Sequence, residues 1–393
     1  MSGVLYLAGR YLAYHKFKTA ILVLSITLVL YIPTGLRVLV RQSQQQLTAR
    51  AAATPLLIGA KGSPIELVLN SLYSGAEVPE QMRYAEVAKV RESGLANPIP
   101  LYVRFHAQRD PIIGTTLDYF TFRGLRVGDG AMMTRLGDCV LGAAVAKRRG
   151  VSPGGSVISS PESVFDLAGV YPLKMRVTGV LAPSGGPDDD AIFVDLKTAW
   201  VIQGLAHGHQ NLARPEAAAQ VLKREGNVIV GNAAVVQFNE VTDANIASFH
   251  FHGDPATYPI TAIVAVPPDQ KSATLLMGRY QAAGQPNQIV RPLDVMEKLL
   301  ATILTIQNFV VAALVIVGLA TLSIAALVFL LSLRLRRREI ETMTKIGGAR
   351  NRIAAVLISE VLVVVGVSVA LAVLLTWMTR AFGSGVIRHL IVQ

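Results

Sequence analysis

Three long apolar runs divide the chain, at 19–41, 303–333 and 353–379. A helix needs about 20 apolar residues to cross the hydrocarbon core of a bilayer, and each run reaches that length. Arg37 and Arg41 lie at the far end of the first run, where long arginine side chains can extend to the membrane interface. The pattern therefore predicts three transmembrane helices.

The segment before the first run, residues 1–18, has apolar residues at helical spacing with basic residues between them. This pattern predicts an amphipathic helix on the inner membrane surface, and a plain charged flank of the first span is the alternative. A cleaved signal peptide, with the small residues 51–53 as its cleavage site, is the competing interpretation. The apolar run is longer than a usual signal core and two arginines separate it from those alanines, which favours a retained span.

Residues 42–302 contain no spanning run, and short helix-like and strand-like patterns alternate there, separated by Gly, Pro and Asp clusters. Ser63 as a cap and Pro64 at the first position mark one clear helix start. Helices are predicted at 63–73, 79–92, 216–224 and 271–282, and strands at 99–106, 173–181, 191–194, 228–237 and 260–266. The predicted fold class is an α-helical membrane protein with three transmembrane helices and a large mixed α/β extracytoplasmic domain.

Charge predicts the orientation of these segments. The loop 334–352 holds seven basic and two acidic residues, and short basic loops stay on the cytoplasmic side. We therefore expect residues 1–18 and 334–352 in the cytoplasm and the domain 42–302 outside it, in a multi-pass membrane protein. The tail 380–393 would end outside, because its apolar stretch is too short and too charged for a fourth span.

Composition agrees with a membrane protein. Charged residues make up 16% of the 393 residues, against about 25% in a typical soluble domain. The formal net charge of +11 does not indicate nucleic-acid binding, because much of the excess lies beside the spans. The single cysteine, Cys139, excludes an intrachain disulfide and a cysteine-cluster metal site.

The charged segment 337–349 resembles the coupling region of the FtsX-like, MacB-type permease family of ABC transporters, with Gly348 as one extra residue. Ile353 and Glu360 follow it in family-like positions, and 7–20 resembles the surface helix that runs into the first span. Weaker blocks in the family's order lie at 137–150, 155–157, 177–181 and 190–194. Members of this family usually have four spans. The resemblance therefore leaves open whether the fourth is absent or the sequence is truncated.

The resemblance implies that a separate ABC ATPase dimer binds ATP and Mg and docks on the loop helix. The residues expected at this ATPase contact are Glu339, Ile340, Glu341, Met343, Ile346 and Gly347. A solvated turn whose arginines only set topology is the alternative, but Gly347 and Gly348 provide a sharp stop that topology does not need. The resemblance also implies a homodimer or a pair with a paralogous permease. A periplasmic adaptor, lipoprotein or substrate-binding protein would be a further partner.

Catalytic motifs are missing from the sequence. It contains no P-loop pattern, no nucleophile-elbow pattern and no paired-histidine zinc-protease pattern, so we expect no enzyme activity in this chain. ATP hydrolysis would belong to the partner subunit.

Two His-x-His pairs, His207 with His209 and His250 with His252, lie in the predicted outer domain. Residues i and i+2 of a strand point to the same face, so each pair can offer two imidazoles to one zinc ion. Surface histidines that happen to alternate are the commoner explanation. For the acidic run 188–190, a turn is likewise commoner than a cation site.

Together these patterns favour a permease subunit of the MacB or lipoprotein-releasing type, which transmits ATP-driven conformational change to its periplasmic domain. One alternative is an FtsX-like regulator of an extracytoplasmic partner, which the large outer domain disfavours. The other is a membrane-anchored metal-binding protein, which rests on the histidine pairs.

Overall fold

The computed structural model describes residues 2–75, 77–161, 172–208, 221–225, 228–231, 238–282, 284–345 and 349–391. It divides into two compact units. The first, called here the helical unit, comprises Met1–Ala49 and Lys298–Gln393. The second, the α/β unit, comprises Arg50–Glu297.

The described helices alternate with strands in the α/β unit and follow one another directly in the helical unit. They are α1 (Ser2–Tyr14), α2 (Lys16–Ala52), α3 (Pro64–Tyr73), α4 (Ala85–Glu92), α5 (Asp118–Arg123), α6 (Ala143–Arg149), α7 (Leu196–Ile202), α8 (Gln270–Gln281), α9 (Pro292–Leu335), α10 (Arg337–Lys345) and α11 (Arg350–Ile391).

The described strands are all short except one. They are β1 (Leu56–Ala60), β2 (Met82–Arg83), β3 (Asn97–Ala107), β4 (Asp110–Thr115), β5 (Val127–Gly130), β6 (Asp138–Leu141), β7 (Ser156–Ile158), β8 (Lys174–Leu181), β9 (Ile192–Asp195), β10 (Ala206–Gly208), β11 (Val221–Glu225), β12 (Val228–Gly231), β13 (Phe249–Phe251), β14 (Pro259–Ile260), β15 (Ala262–Val266) and β16 (Asn287–Val290).

A ten-stranded mixed sheet forms the centre of the α/β unit, in the order β16-β1-β15-β3-β4-β9-β6-β8-β5, with β7 paired to β8. Its strands pair antiparallel except β4 with β9 and β6 with β8, which are parallel. The smaller two-stranded sheets are β10-β13, β11-β12 and β14-β2. Buried aromatic side chains, including Tyr102, Tyr119 and Phe193, fill the core beside this sheet.

Local sequence explains several elements. The Ser63 side chain accepts a hydrogen bond of 3.3 Å from the Glu66 amide and Pro64 takes the first helical position, so α3 begins where the sequence predicts. The side chain of Asp269 caps α8 in the same way, at 2.7 Å from the Ser272 amide. Strand β8 buries alternate residues, as its sequence pattern predicts.

Two sequence predictions are wrong. Residues 221–224 were predicted within a helix but belong to β11, because the β-branched residues of β12 offer a partner strand that outweighs helix propensity. The helix predicted from residue 79 begins only at Ala85, since Met82 pairs with Ile260 in a small sheet. For the tail from residue 380 the sequence analysis predicts no secondary structure, and the structure shows it as helix as far as Ile391, continuing α11.

In the helical unit, three helices contain stretches long and apolar enough to cross a membrane. These stretches are Lys16–Gln42, Pro292–Leu335 and Asn351–Phe382. Large apolar side chains are exposed along all three, as expected for surfaces that face lipid. Leu22, Ile26, Ala325 and Val364 form the buried apolar cluster that joins α2, α9 and α11.

Candidate functional site

The predicted coupling segment forms a separate short helix. α10 (Arg337–Lys345) follows α9 after one non-helical residue, Arg336, and lies in sequence between two of the apolar helices. Ile340 is half-buried and Glu341 is exposed. Glu339 and Met343 lie on α10, but their side chains, and all of Ile346 and Gly347, fall outside the described part of the structure. α10 therefore lies at the position in the sequence that was predicted for the coupling segment.

An ion pair fixes the junction between α9 and α10. Arg336 Nη1 donates to both carboxylate oxygens of Glu360 on α11, each at 3.0 Å, and these side chains are only 13% and 7% exposed. The Arg336 guanidinium carbon also lies 3.6 Å from the centroid of the Tyr11 ring on α1, a cation–π contact. The start of α10 is therefore tied to two other helices of the helical unit.

The sequence contains one signal for this ion pair. Glu360 is the one acidic residue inside the apolar run 353–379. Acidic residues inside a membrane span are costly unless they are paired, so a partner had to exist. The sequence pattern does not say which of the arginines in 334–352 it would be.

Hydroxyl groups join α2 to α11 along their lengths. Tyr31 Oη lies 2.9 Å from Thr379 Oγ1, and Thr34 Oγ1 lies 3.2 Å from Thr376 Oγ1. Ser368, fully buried, donates to the Val23 carbonyl oxygen at 3.3 Å. In a lipid environment such polar contacts hold helices together where apolar burial provides no driving force. α2 and α11 are therefore a packed pair rather than independent helices.

The last turn of α2 belongs to the α/β unit, and its Arg50 is held in the core of that unit. Arg50 donates to Asp188 from Nη1 at 2.6 Å and from Nη2 at 2.9 Å, and its Nη2 lies 2.9 Å from the Tyr119 hydroxyl oxygen. The Tyr119 hydroxyl donates to Asp188 Oδ1 at 2.8 Å. These three side chains, called here the Arg50 node, all belong to the α/β unit and hold its first residue, Arg50, in place.

Electrostatics explain the protonation states in the Arg50 node. Burial acts to raise the pKa of Asp188, but the hydrogen bonds and positive charge of Arg50 outweigh it and hold that pKa below its usual value. Burial raises the pKa of the Tyr119 hydroxyl. The node therefore carries a buried carboxylate–guanidinium pair with a neutral phenol between them.

All three acids of the run 188–190 are used in internal bonds. Asp189 accepts from the amides of Ser184 and Gly185, each at 2.8 Å, and Asp190 accepts from Arg148 at 3.0 Å. Asp188 belongs to the Arg50 node. These contacts agree with the acidic-turn interpretation of this run.

Three of the four predicted histidines come together. Donor atoms of His207, His250 and His252 all lie within 4.8 Å of one another, and their ring centroids are 4.7 to 4.9 Å apart. His209 lies outside the described residues. Among the residues that the structure describes, these histidines are the group whose donor atoms are close enough to share a metal ion.

A model of the MacB-like periplasmic core domain matches residues 19–247, more than half of the chain. The chain belongs to this family. MacB-type proteins of this family are permease components of ABC transporters, so this assignment confirms the sequence-based resemblance and makes the chain a membrane protein with a MacB-like periplasmic domain. No curated protein sequence matches the chain.

Solved structures similar to this MacB family member include the periplasmic region of MacB from Actinobacillus actinomycetemcomitans, at 11% identity and a TM-score of 0.33, covering 63% of this chain and 92% of that one. The extracellular domain of the ABC-type transporter YknZ from Gram-positive bacteria has 10% identity and a TM-score of 0.33, covering 60% and 98%. A domain of a putative permease protein from Porphyromonas gingivalis has 10% identity and a TM-score of 0.26, covering 60% and 86%. At these scores the family model alone carries the assignment.

Proposed function

We propose that the chain is the membrane-spanning subunit of an ABC transporter of the MacB or lipoprotein-releasing type, placed in the inner membrane with its N-terminus in the cytoplasm. A separate ATPase dimer binds ATP and Mg and docks on α10. The permease passes the resulting movement to its periplasmic domain, which acts on a cargo or partner protein there. The subunit works as a homodimer or beside a paralogous permease.

The observation that carries this proposal is α10 itself, a short charged helix between two apolar helices in a MacB family member. The pairing of Arg336 with Glu360 supports it, because a docking helix transmits movement only when its base is held by the helices that must move. The hydroxyl contacts between α2 and α11 allow a movement of α11 to be passed to α2 within the helical unit. Arg50 then holds the last turn of α2 in the α/β unit.

The test is the interface between α10 and the ATPase. The chain is co-expressed with the ABC ATPase subunit from its own gene neighbourhood, and Ile340→Asp with Ile346→Asp are introduced together. Truncating a buried hot-spot residue costs about 2 kcal/mol or more of binding free energy, so we expect the ATPase to be lost on co-purification while membrane insertion is retained. ATPase stimulation by the permease should disappear with it.

Ile340→Asp alone is also compared with a matched control, Thr342→Asp, and each of these two variants adds one negative charge to α10. Residues 340 and 342 are two positions apart and so lie on nearly opposite sides of the helix. Thr342→Asp should therefore still co-purify with the ATPase. Unchanged co-purification and stimulation in the double variant would place the contact elsewhere. A third outcome is that the ATPase binds and ATP changes the activity of an extracytoplasmic enzyme, while no transport is observed. In that case the chain is a regulator rather than a transporter subunit.

A further inference from the structure

The strands β10 and β13 pair antiparallel, with His207 directly opposite His250. The pairing continues one step further, because the His252 amide donates to the Leu205 carbonyl oxygen at 3.1 Å. Directly opposite residues of a pair point to the same face, and so do residues i and i+2. The ladder therefore places His207, His250 and His252 on one face.

The other face of these strands is turned to the core. Phe249 and Phe251 alternate with the histidines and pack against the main apolar cluster of the α/β unit. The Phe251 ring lies 6.2 Å from the Tyr258 ring, and the Tyr258 hydroxyl donates to the His252 carbonyl oxygen at 2.7 Å. Tyr258 in turn packs edge-on against Trp200 at 5.0 Å. The three imidazoles thus lie on β10, on β13 and directly after β13, and a packed aromatic layer holds this backbone in place.

One imidazole is also oriented as a ligand would be. His250 Nδ1 lies 3.0 Å from the Ser248 carbonyl oxygen. A carbonyl oxygen only accepts hydrogen bonds, so Nδ1 carries the proton and Nε2 is the basic nitrogen of the neutral ring. A backbone carbonyl that holds one ring nitrogen while the other binds metal is the usual outer contact of a metal-ligating histidine.

The spacing of the donors suits a small ion. Tetrahedral coordination with zinc–nitrogen distances of about 2.05 Å sets ligand nitrogens roughly 3.3 Å apart. The donor atoms here lie within 4.8 Å of one another, so modest rotations about the side-chain torsions bring them to that separation. Imidazole favours Zn²⁺, Cu²⁺ and Ni²⁺ over Mg²⁺ and Ca²⁺, which prefer oxygen ligands.

We propose that His207, His250 and His252 form a binding site for a divalent late transition-metal ion, with Zn²⁺ as the reference ion. The fourth position is left to water or to an exchangeable ligand, which is the arrangement of an accessible site rather than a closed structural one. The bound ion cross-links β10 to the segment that begins with β13, so it clamps both ends of the intervening segment 209–248. The proposal does not depend on the ATPase contact, and two of the three ligands lie beyond the region matched by the family model.

The test uses the full-length chain in detergent, stripped with a chelator and titrated with Zn²⁺ against a chromophoric competitor. We expect one ion per chain. Removing even an outer contact of a metal ligand commonly costs about 10- to 100-fold in affinity, so His207→Gln and His250→Gln should each weaken binding about 100-fold or more. His106→Gln is the matched control, because His106 lies on β3 outside the cluster and should leave the affinity unchanged.

Spectroscopy separates a built site from scattered surface binding and from misfolding. X-ray absorption of the zinc-loaded chain should show about three imidazole ligands, and Co²⁺ should give visible absorption typical of a tetrahedral site. Zn²⁺ should raise the melting temperature of the wild type and not that of the glutamine variants, since an ion that binds only the folded state stabilises it. The idea fails if the wild type binds no stoichiometric zinc. It also fails if the double variant His207→Gln with His250→Gln binds zinc with unchanged affinity. The melting temperature of this variant should equal that of the metal-free wild type, which shows that it is folded.

Discussion

Replacing Asp188 by asparagine should strongly destabilise the α/β unit. The substitution would keep the shape of the side chain but remove the carboxylate charge that pairs with Arg50 in the node. The Arg50 and Asp188 side chains are 11% and 4% exposed, so solvent cannot take over the role of the lost partner. The amide nitrogen of asparagine would also face guanidinium donors.

The size of the effect follows from this burial. Removing one partner of a buried ion pair costs about 3–5 kcal/mol, because the remaining charge is left uncompensated. For a unit of this size, each kcal/mol lowers the melting temperature by roughly 2–4 °C, so we expect a fall of about 6–20 °C. Replacing both residues, Arg50→Met with Asp188→Leu, should restore much of the loss, because neither member of this ion pair is then left without its partner.

The assay is thermal unfolding of the full-length chain, followed by the fluorescence of Trp200, which is 3% exposed in the α/β unit. The second tryptophan, Trp377, is replaced by phenylalanine in every sample so that the signal reports on this unit alone. Asp243→Ala is the matched control: its ion pair with Arg135 is exposed, and such pairs contribute about 0–1 kcal/mol. An Asp188→Asn melting temperature within about 2 °C of this control would show that the buried ion pair contributes no more than an exposed one.

The effect should also depend on pH, with a definite sign. The folded-state pKa of Asp188 lies below its usual value, so the stability it contributes is fully present above the unfolded-state pKa of about 3.9. That contribution is lost as pH falls through the folded-state pKa. The difference in stability between wild type and Asp188→Asn should therefore shrink as the pH falls below about 4, and a difference that stays constant would contradict the assignment.

Three further predictions concern topology, the helical unit and backbone packing. A reporter active only in the periplasm should give signal when fused after residue 237 and none after residue 338, and the reverse pattern would overturn the orientation. Glu360→Gln should lower the melting temperature of the full chain in detergent more than Glu341→Gln, because the Glu360 pair is nearly buried and the Glu341 pair is exposed; equal shifts would contradict this. Gly142→Ala should destabilise by about 1–3 kcal/mol in urea unfolding, since an added Cβ would meet two backbone carbonyl oxygens at 2.3 and 2.4 Å; an unchanged midpoint would refute it.

Local chemistry explains what the sequence could predict. The Ser63 cap and Pro64 fix the start of α3, and the alternation in β8 reflects one buried and one more open face. The loop helix α10 and the alternating histidines at 250 and 252 follow from patterns spanning only a few residues. Such features can be predicted without knowing which distant residues they contact.

Long-range pairing explains what the sequence could not predict. Arg50 and Asp188 are 138 positions apart, and nothing near either residue names the other. The strand β11 was mistaken for a helix because its Leu, Lys, Arg and Glu favour helices locally, whereas β12 decides the outcome. His207 likewise meets His250 only because β10 and β13 pair across the intervening segment.

A site-specific photo-crosslink shows whether the ATPase docks on α10. The variant Ile340→Cys is labelled with a photoreactive maleimide. The native thiol stays silent, because burial, together with neighbouring Asp138, raises the pKa of Cys139 to about 12. After illumination of membranes that contain the co-expressed ATPase, we expect a crosslink from position 340 to the ATPase that changes with ATP. A label at Lys271→Cys in the α/β unit should give none. An ATPase that co-purifies with the chain yet crosslinks only from other positions would contradict the claim.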